Sequence, residues 1–236
     1  MTDASAILDV WAARLDVPDA DVARYRATLD VRELARVDRL RQDVDKRDYI
    51  VSHGILRAIL ARYAAIDAAD IVFRYGPHGK PYIGKPGDNA IEFNMSDSKG
   101  MLLVAVSSGV AVGVDIEKRR PIEILKFARR FFTSTEADAI EALPESAREE
   151  AFFRTWTCKE GYVKGWGFGI QRHVGAFDVR VGEAKSGLLT CAFDETSPDR
   201  WSLVNIDTIT GYAATVAVET PGVESVEVRW WDAESE

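Results

Sequence analysis

Twice along this 236-residue chain a long amphipathic helical pattern is followed by a run of short strands, and this repetition limits the fold more than any single motif. In the first pass, apolar residues recur at spacings of three and four from Val22 to about Ala65. Within it, DKRDYIVSHGILRAILARYAA reads as one long helix that turns Ile50, Ile55, Leu56, Ile59 and Leu60 inward. IVFRY and PYIG then flank the turn GPHGK, and AIEFNMS leads through SDSKG into MLLVAVSSGVAVGVDIE, all with the character of strands. In the second pass, Thr133 and Glu136 have the spacing of a capping box. REEAFFRTWTCKEGYVKGWG then forms another long helix, ended by Gly165, Gly167 and Gly169. HVGAFDVRV, SGLLTCAFD, WSLVNIDTI and YAATVAVE follow as strands. The expectation is an α+β protein of two similar lobes, each a long helix on a small, mostly antiparallel sheet. Residues 1–109 form the first lobe, 110–222 the second, and 223–236 a tail with no assigned role.

Composition narrows the chemistry. The chain is 47% hydrophobic and 29% charged, as expected of a soluble globular protein. Its longest apolar runs, such as Met101 to Val106, fall far short of the roughly 20 residues that span a bilayer. MTDASAILDV shows no secretory pattern, so a cytoplasmic protein with no membrane partner is expected. A net charge of −8 argues against a nucleic-acid partner. Basic residues do cluster locally, at Arg36, Arg39, Arg41, Lys46 and Arg47 and again at Lys118, Arg119, Arg120, Arg129 and Arg130; they read either as solvated helix faces balanced by Asp38, Asp43 and Asp45 or as a site for a small polyanion, which needs only a few of them. Cys158 and Cys191 lie too far apart in sequence for a CxxC motif or a disulfide framework. His53, His78 and His173 are equally scattered, so any metal is expected to sit among oxygen ligands, as Mg²⁺ or Mn²⁺ does.

Side chains two apart on a strand share a face, so in GVDIE Asp115 and Glu117 project together while Ile116 goes to the other side. Two carboxylates so placed repel unless something positive lies between them: a hard divalent cation, or the neighbouring Lys118, Arg119 and Arg120. On the second helix Glu160 and Lys164 share a face, and Lys159 lies about 100° round from Glu160. They read either as a surface ion pair or as a third oxygen ligand beside a phosphate-binding charge. Lys80, at the turn HGKP, presents an ammonium suited to a phosphate or simply tips a hairpin. Ser96, in FNMSDSKG, sits at a turn that makes an anion-binding nest or an ordinary reversal.

In order along the chain, GKP, N-x-S-x-S, G-x-D-I-E, R-F-F-x-x-x-E, W-x-x-K-E-x-x-x-K and G-x-G-I resemble the two-lobed monomeric branch of the 4'-phosphopantetheinyl transferase superfamily, the Sfp type. The resemblance runs from about Arg36 to Ile170 and implies two pseudo-symmetric lobes with coenzyme A held between them. It implies transfer of the 4'-phosphopantetheine arm of coenzyme A to a serine of an apo acyl or peptidyl carrier protein, with release of adenosine 3',5'-bisphosphate. By motif, Asp115, Glu117 and Glu160 would hold Mg²⁺. Lys164, Lys80 and Ser96 would contact coenzyme A, and Arg36 and Arg47 its 3'-phosphate. Glu160, Glu117 and Lys164 would carry catalysis, with Glu160 or Glu117 as the candidate base. PIEILKFARRFF matches a carrier-binding region, which makes Lys126, Arg129 and Arg130 candidates for docking an acidic partner. Two positions depart from the pattern: Asp97 stands where the family has a histidine, and Gly161 where it has a small side chain, which should loosen that helix. The alternatives are a non-catalytic carrier-protein binder and a metal-dependent nuclease; a nuclease would more often place its lysine two residues from a carboxylate on a strand.

Overall fold

The computed structural model describes residues 8–76, 79–83, 91–167, 174–182 and 186–232. His78, His173, Gly169 and Ile170, singled out above, lie outside the described residues. The first half contains strand β1 (Leu8–Arg14), helices α1 (Asp19–Thr28), α2 (Val31–Arg39) and α3 (Asp43–Ala64), a short hairpin β2 (Arg74–Tyr75) and β3 (Pro81–Tyr82), and the strands β4 (Ile91–Ser98) and β5 (Met101–Ser108). The second contains β6 (Val112–Lys118), α4 (Ile124–Phe131), α5 (Ser134–Ala142), α6 (Glu145–Trp166), β7 (Phe177–Val179), β8 (Leu188–Cys191), α7 (Ser197–Arg200), β9 (Ser202–Asn205), β10 (Tyr212–Val218) and β11 (Val228–Trp230). This is the expected α+β architecture. Among the described residues no helix is long and apolar enough to cross a membrane.

The helical stretch expected from Val22 to Ala65 is three helices. Asp30 starts α2 by accepting from the backbone of Arg32 and Glu33, while Glu33 returns a bond to the Asp30 amide at 2.8 Å, a reciprocal cap. The D-x-x-E spacing of Asp30 and Glu33 is the sequence signature of this break, which the continuous helical reading passed over. Glu33 also receives Arg57, whose side chain is wholly buried on α3 and whose Nε reaches Glu33 at 2.8 Å. All five apolar residues assigned to the inner face of α3 are buried.

Two sheets organise the core. The first runs β11-β1-β5-β4 and the second β6-β10-β9. Strand β5 is buried on both faces, and its alternation divides it. Leu102, Val104 and Val106 pack under α3 with Ile55, Ile59 and Leu60. Leu103 and Ala105 join Val112, Val114, Ile116 and Val216 of the second sheet in a core that the two halves share. Strand β11, from the segment read as a tail, pairs in parallel with β1. Trp231 beyond it lies under Arg62, 4.4 Å from the ring centroid, and donates to the Tyr25 hydroxyl at 3.1 Å. Strand β11 thus forms one edge of the first sheet.

The two sheets meet along β4 and β6, a boundary crossed mainly by side chains. Lys80 reaches from the β3 side to the carbonyls of Val112 on β6 (3.1 Å) and Gly165 on α6 (3.0 Å), and pairs with Glu92 at 3.2 Å. Helix α6 lies directly on β6: a Cβ added to Gly113 would stand 2.1 Å from the Gly161 carbonyl oxygen. That contact explains the glycine that opens GVDIE. Gly161 has its own close neighbour, the Thr215 carbonyl, at 3.3 Å from a built Cβ. The missing side chain allows helix and strand to approach.

Candidate active site

The site forms where α6 crosses β6. Alternation along β6 sends Ile116 into the shared core, 1% exposed, and turns Asp115 and Glu117 the other way. Asp115 is buried. Its Oδ1 accepts from Lys164 Nζ at 2.6 Å and from Ser96 Oγ at 2.9 Å, while its Oδ2 is buried without a partner. Burial pushes this carboxyl up from its ordinary value, and Lys164 opposes the rise. Glu117 is half-buried, and its Oε2 accepts from Ser98 Oγ and from Arg120, each at 3.2 Å.

Glu160 enters from α6 and is 3% exposed. Its Oε1 is buried and unpartnered. Burial first, then the charge of Asp115, push its pKa up to about 7, with Lys164 pulling the other way. The i,i+4 ion pair that the sequence offered for Glu160 and Lys164 is therefore not how the lysine is used. Lys164 reaches past its own helix to Asp115 and to Ser96, the latter at 2.9 Å. Lys159, one residue before Glu160, points away from the site and is buried against Glu136 at 2.6 Å.

The three carboxylates come from two elements and feel one another electrostatically. They do not form a closed cage: among the described residues no three His, Cys, Asp or Glu side chains are placed to hold a metal ion. The donor set nonetheless fits a hard divalent cation. Two buried carboxylate oxygens, Asp115 Oδ2 and Glu160 Oε1, lack any hydrogen-bond partner, and burying such charge without compensation is costly.

The other candidates are more dispersed. Ser96 is buried against β6, not presented at an open turn. The Lys80 ammonium is directed at the two carbonyls and Glu92 described above, and burial lowers its pKa. Arg47 on α3 pairs with Asp19 at 2.6 Å and donates to the Val17 carbonyl, tying down the entry to α1. Arg36 is exposed near the end of α2. Asp97, exposed on β4, has a raised pKa, first from the protein around its carboxyl and then from Asp48. Asp48 carries no sequence signal beyond its place in the α3 helical pattern.

Beside Glu117 and Arg120 opens a cavity of about 310 Å³ lined by Phe127, Phe131, Phe152, Phe153 and Trp156. Helix α4 borders it. Of its three basic residues, Lys126 pairs with Glu123 at 2.7 Å, Arg129 pairs with Asp138 at 2.5 Å and with Glu141, and Arg130 lies 5.0 Å over the Phe131 ring.

Comparison with known proteins identifies the family. The family model described as the 4'-phosphopantetheinyl transferase superfamily matches residues 111–217, which include β6, α6 and all three carboxylates. The 4'-phosphopantetheinyl transferase HetI of Nostoc sp. is 36% identical over 165 residues, covering 69% of this chain and 70% of the relative. A putative 4'-phosphopantetheinyl transferase of Synechocystis sp. is 32% identical, over 68% of this chain and 65% of its own. The 4'-phosphopantetheinyl transferase Sfp of Bacillus subtilis is 28% identical, over 67% of this chain and 69% of its own. With the acidic strand and the Lys-Glu helix crossing as they do, and relatives this similar over two thirds of the chain, the protein belongs to the Sfp-type branch of the 4'-phosphopantetheinyl transferase superfamily.

Proposed function

We propose that this protein moves the 4'-phosphopantetheine arm of coenzyme A onto a serine of an apo carrier protein, as a Mg²⁺-dependent enzyme of the holo-[acyl-carrier-protein] synthase kind. The observation that carries the reading is that two buried carboxylate oxygens, Glu160 Oε1 and Asp115 Oδ2, have no hydrogen-bond partner while Lys164 holds the other oxygen of Asp115. Asp115, Glu117 and Glu160 would hold the ion. Once bound, Mg²⁺, or Mn²⁺ in its place, neutralises the pyrophosphate and stabilises the charge on the departing oxygen.

The rest follows from the chain's own groups. The carrier serine oxygen bonds to the β-phosphorus, the bridging P–O bond breaks, and adenosine 3',5'-bisphosphate leaves with the electron pair. The serine proton passes to a carboxylate. Glu160 is the acceptor we favour, because Glu117 already takes bonds from Ser98 and Arg120. Lys164 is the cation best placed to exchange Asp115 for a pyrophosphate oxygen. The α4 face and the aromatic cavity next to Glu117 would receive the carrier, with exposed Arg130 and the exposed ion pairs of Lys126 and Arg129 facing its acidic helices. We read the protein as a cytoplasmic monomer serving fatty-acid, polyketide or nonribosomal peptide carriers.

The test is intact mass. Purified protein with coenzyme A, Mg²⁺ and several apo carriers is expected to add the phosphopantetheine mass to at least one of them, and Glu117→Ala is expected to abolish the addition. Binding without mass gain would favour a non-catalytic carrier binder, and cleavage of nucleic acid with the carriers unchanged would favour a nuclease.

Asp97 gives a second prediction. A carboxylate facing a polyanionic substrate, with Asp48 already near it, should weaken binding. Asp97→His is expected to lower the KM for coenzyme A by about threefold to tenfold, an order set by one like-charge contact near a surface. Steady-state kinetics at saturating carrier would read it, and an unchanged or higher KM would remove Asp97 from the nucleotide path.

A further inference from the structure

The N-x-S-x-S stretch does something its spacing alone did not disclose. Strands β4 and β6 are neighbouring edges of two different sheets, and β4 supplies side-chain oxygens to alternate amides of β6. Asn94 Oδ1 accepts from the Val114 amide at 2.9 Å, Ser96 Oγ from Ile116 at 3.4 Å, and Ser98 Oγ from Lys118 at 3.1 Å. The match of 94, 96, 98 to 114, 116, 118 follows from period-two alternation on both strands. The register of β4 on β5 is set by the turn at Lys99 and Gly100, both at positive φ (45° and 84°), with Ser98 opposite Met101. The Tyr212 hydroxyl on β10 fastens that turn by donating to the Lys99 carbonyl at 2.7 Å.

A serine hydroxyl has one proton and two lone pairs. Having accepted the amide of the residue after each carboxylate, each serine gives its proton to the carboxylate itself: Ser96 to Asp115 at 2.9 Å, Ser98 to Glu117 at 3.2 Å. The same two-bond arrangement thus occurs twice, one strand period apart. Arg120 also reaches Glu117, but its side chain is 51% exposed, so its hold is the looser one.

We propose that Ser98 is a positioning residue, reaching across the boundary between the two sheets to fix the orientation of the Glu117 carboxylate for a divalent cation. This rests on the metal reading above. Hydrogen bonds from outside the ligand set commonly alter metal affinity by about 10–100-fold when removed. The hydroxyl, not the volume of the side chain, is what matters, so threonine should substitute and alanine should not.

The experiment is a Mn²⁺ titration followed by electron paramagnetic resonance on wild type, Ser98→Ala and Ser98→Thr, with thermal melts in EDTA alongside. Ser98→Ala is expected to raise the Mn²⁺ Kd by about tenfold or more, and Ser98→Thr to stay close to wild type, while all three melt within a few degrees of one another. The turnover deficit of Ser98→Ala should also be recovered by raising Mg²⁺, a rescue that a merely loosened fold would not show. An unchanged Mn²⁺ Kd in Ser98→Ala, with wild type binding normally, overturns the positioning role alone. A wild type that binds no Mn²⁺ overturns the metal reading and this inference with it.

Discussion

Glu160→Gln is expected to lower kcat by about a hundredfold or more and, in the same protein, to raise the melting temperature measured in EDTA. A residue kept for packing would not move these two quantities in opposite directions. The loss of turnover follows from removing an anionic oxygen where the ion and the serine proton are handled. The gain in stability follows from the carboxyl's own cost. It is 3% exposed, has an unpartnered oxygen, and feels the charge of Asp115. Its pKa is 4.5 ordinarily and about 7 in the fold.

The sign is set by which state ionises first. Below pH 4.5 folded and unfolded chains both carry the proton and the group makes no difference. Between 4.5 and 7 the unfolded chain ionises while the folded one resists, so stability falls as the pH rises. Above 7 the whole cost is present, about 3 kcal/mol for a shift of that size. Glutamine is neutral throughout and recovers part of it. At pH 8 the melting temperature in EDTA should rise on the order of 5 °C, and the gain should shrink toward zero as the pH is lowered to 4.5. A variant that melts below wild type at pH 8 would mean that Glu160 is partnered in solution, and the case for a strained, ion-seeking carboxylate would fail.

Local patterns were legible in the sequence wherever a single element decided them. The inward face of α3, the Thr133–Glu136 cap, the opposed directions of Ile116 and Asp115, and the separation of Lys159 from Glu160 all follow from helical or strand period. What stayed hidden was every partnership made across the two sheets. Lys80 looks like an exposed ammonium until the Val112 and Gly165 carbonyls arrive from the other half. Lys164 has a suitable partner one turn away in sequence, yet bonds to Asp115, 49 positions back. Parallel pairing of β1 with β11 joins segments far apart in sequence, and no short window contains both. Ser96 and Ser98 were legible as a spacing, but their purpose depends on which amides stand opposite.

The adjacent lysine supplies the contrasting case, and Lys159→Met is expected to cost about 4 kcal/mol of stability while leaving kcat of the folded protein near wild type. Lys159 is wholly buried, and its ammonium has three acceptors: both oxygens of Glu136, at 2.6 and 2.7 Å, and the Phe177 carbonyl at 2.6 Å. Glu136 in turn accepts the amides of Thr133 and Val179, so the pair links α6 to the start of α5 and to β7. Removing the cation leaves a carboxylate that is 1% exposed with two amides and no counter-charge. Much of the loss should therefore come from the stranded Glu136, and the double variant Lys159→Met with Glu136→Leu should recover most of it in a urea titration. If Lys159→Met instead abolished turnover without lowering the urea midpoint, the lysine would belong to the reaction. The division of labour between two successive residues of WTCKEG, one holding the helix in place and the next delivered by it to the acidic strand, would then have to be abandoned.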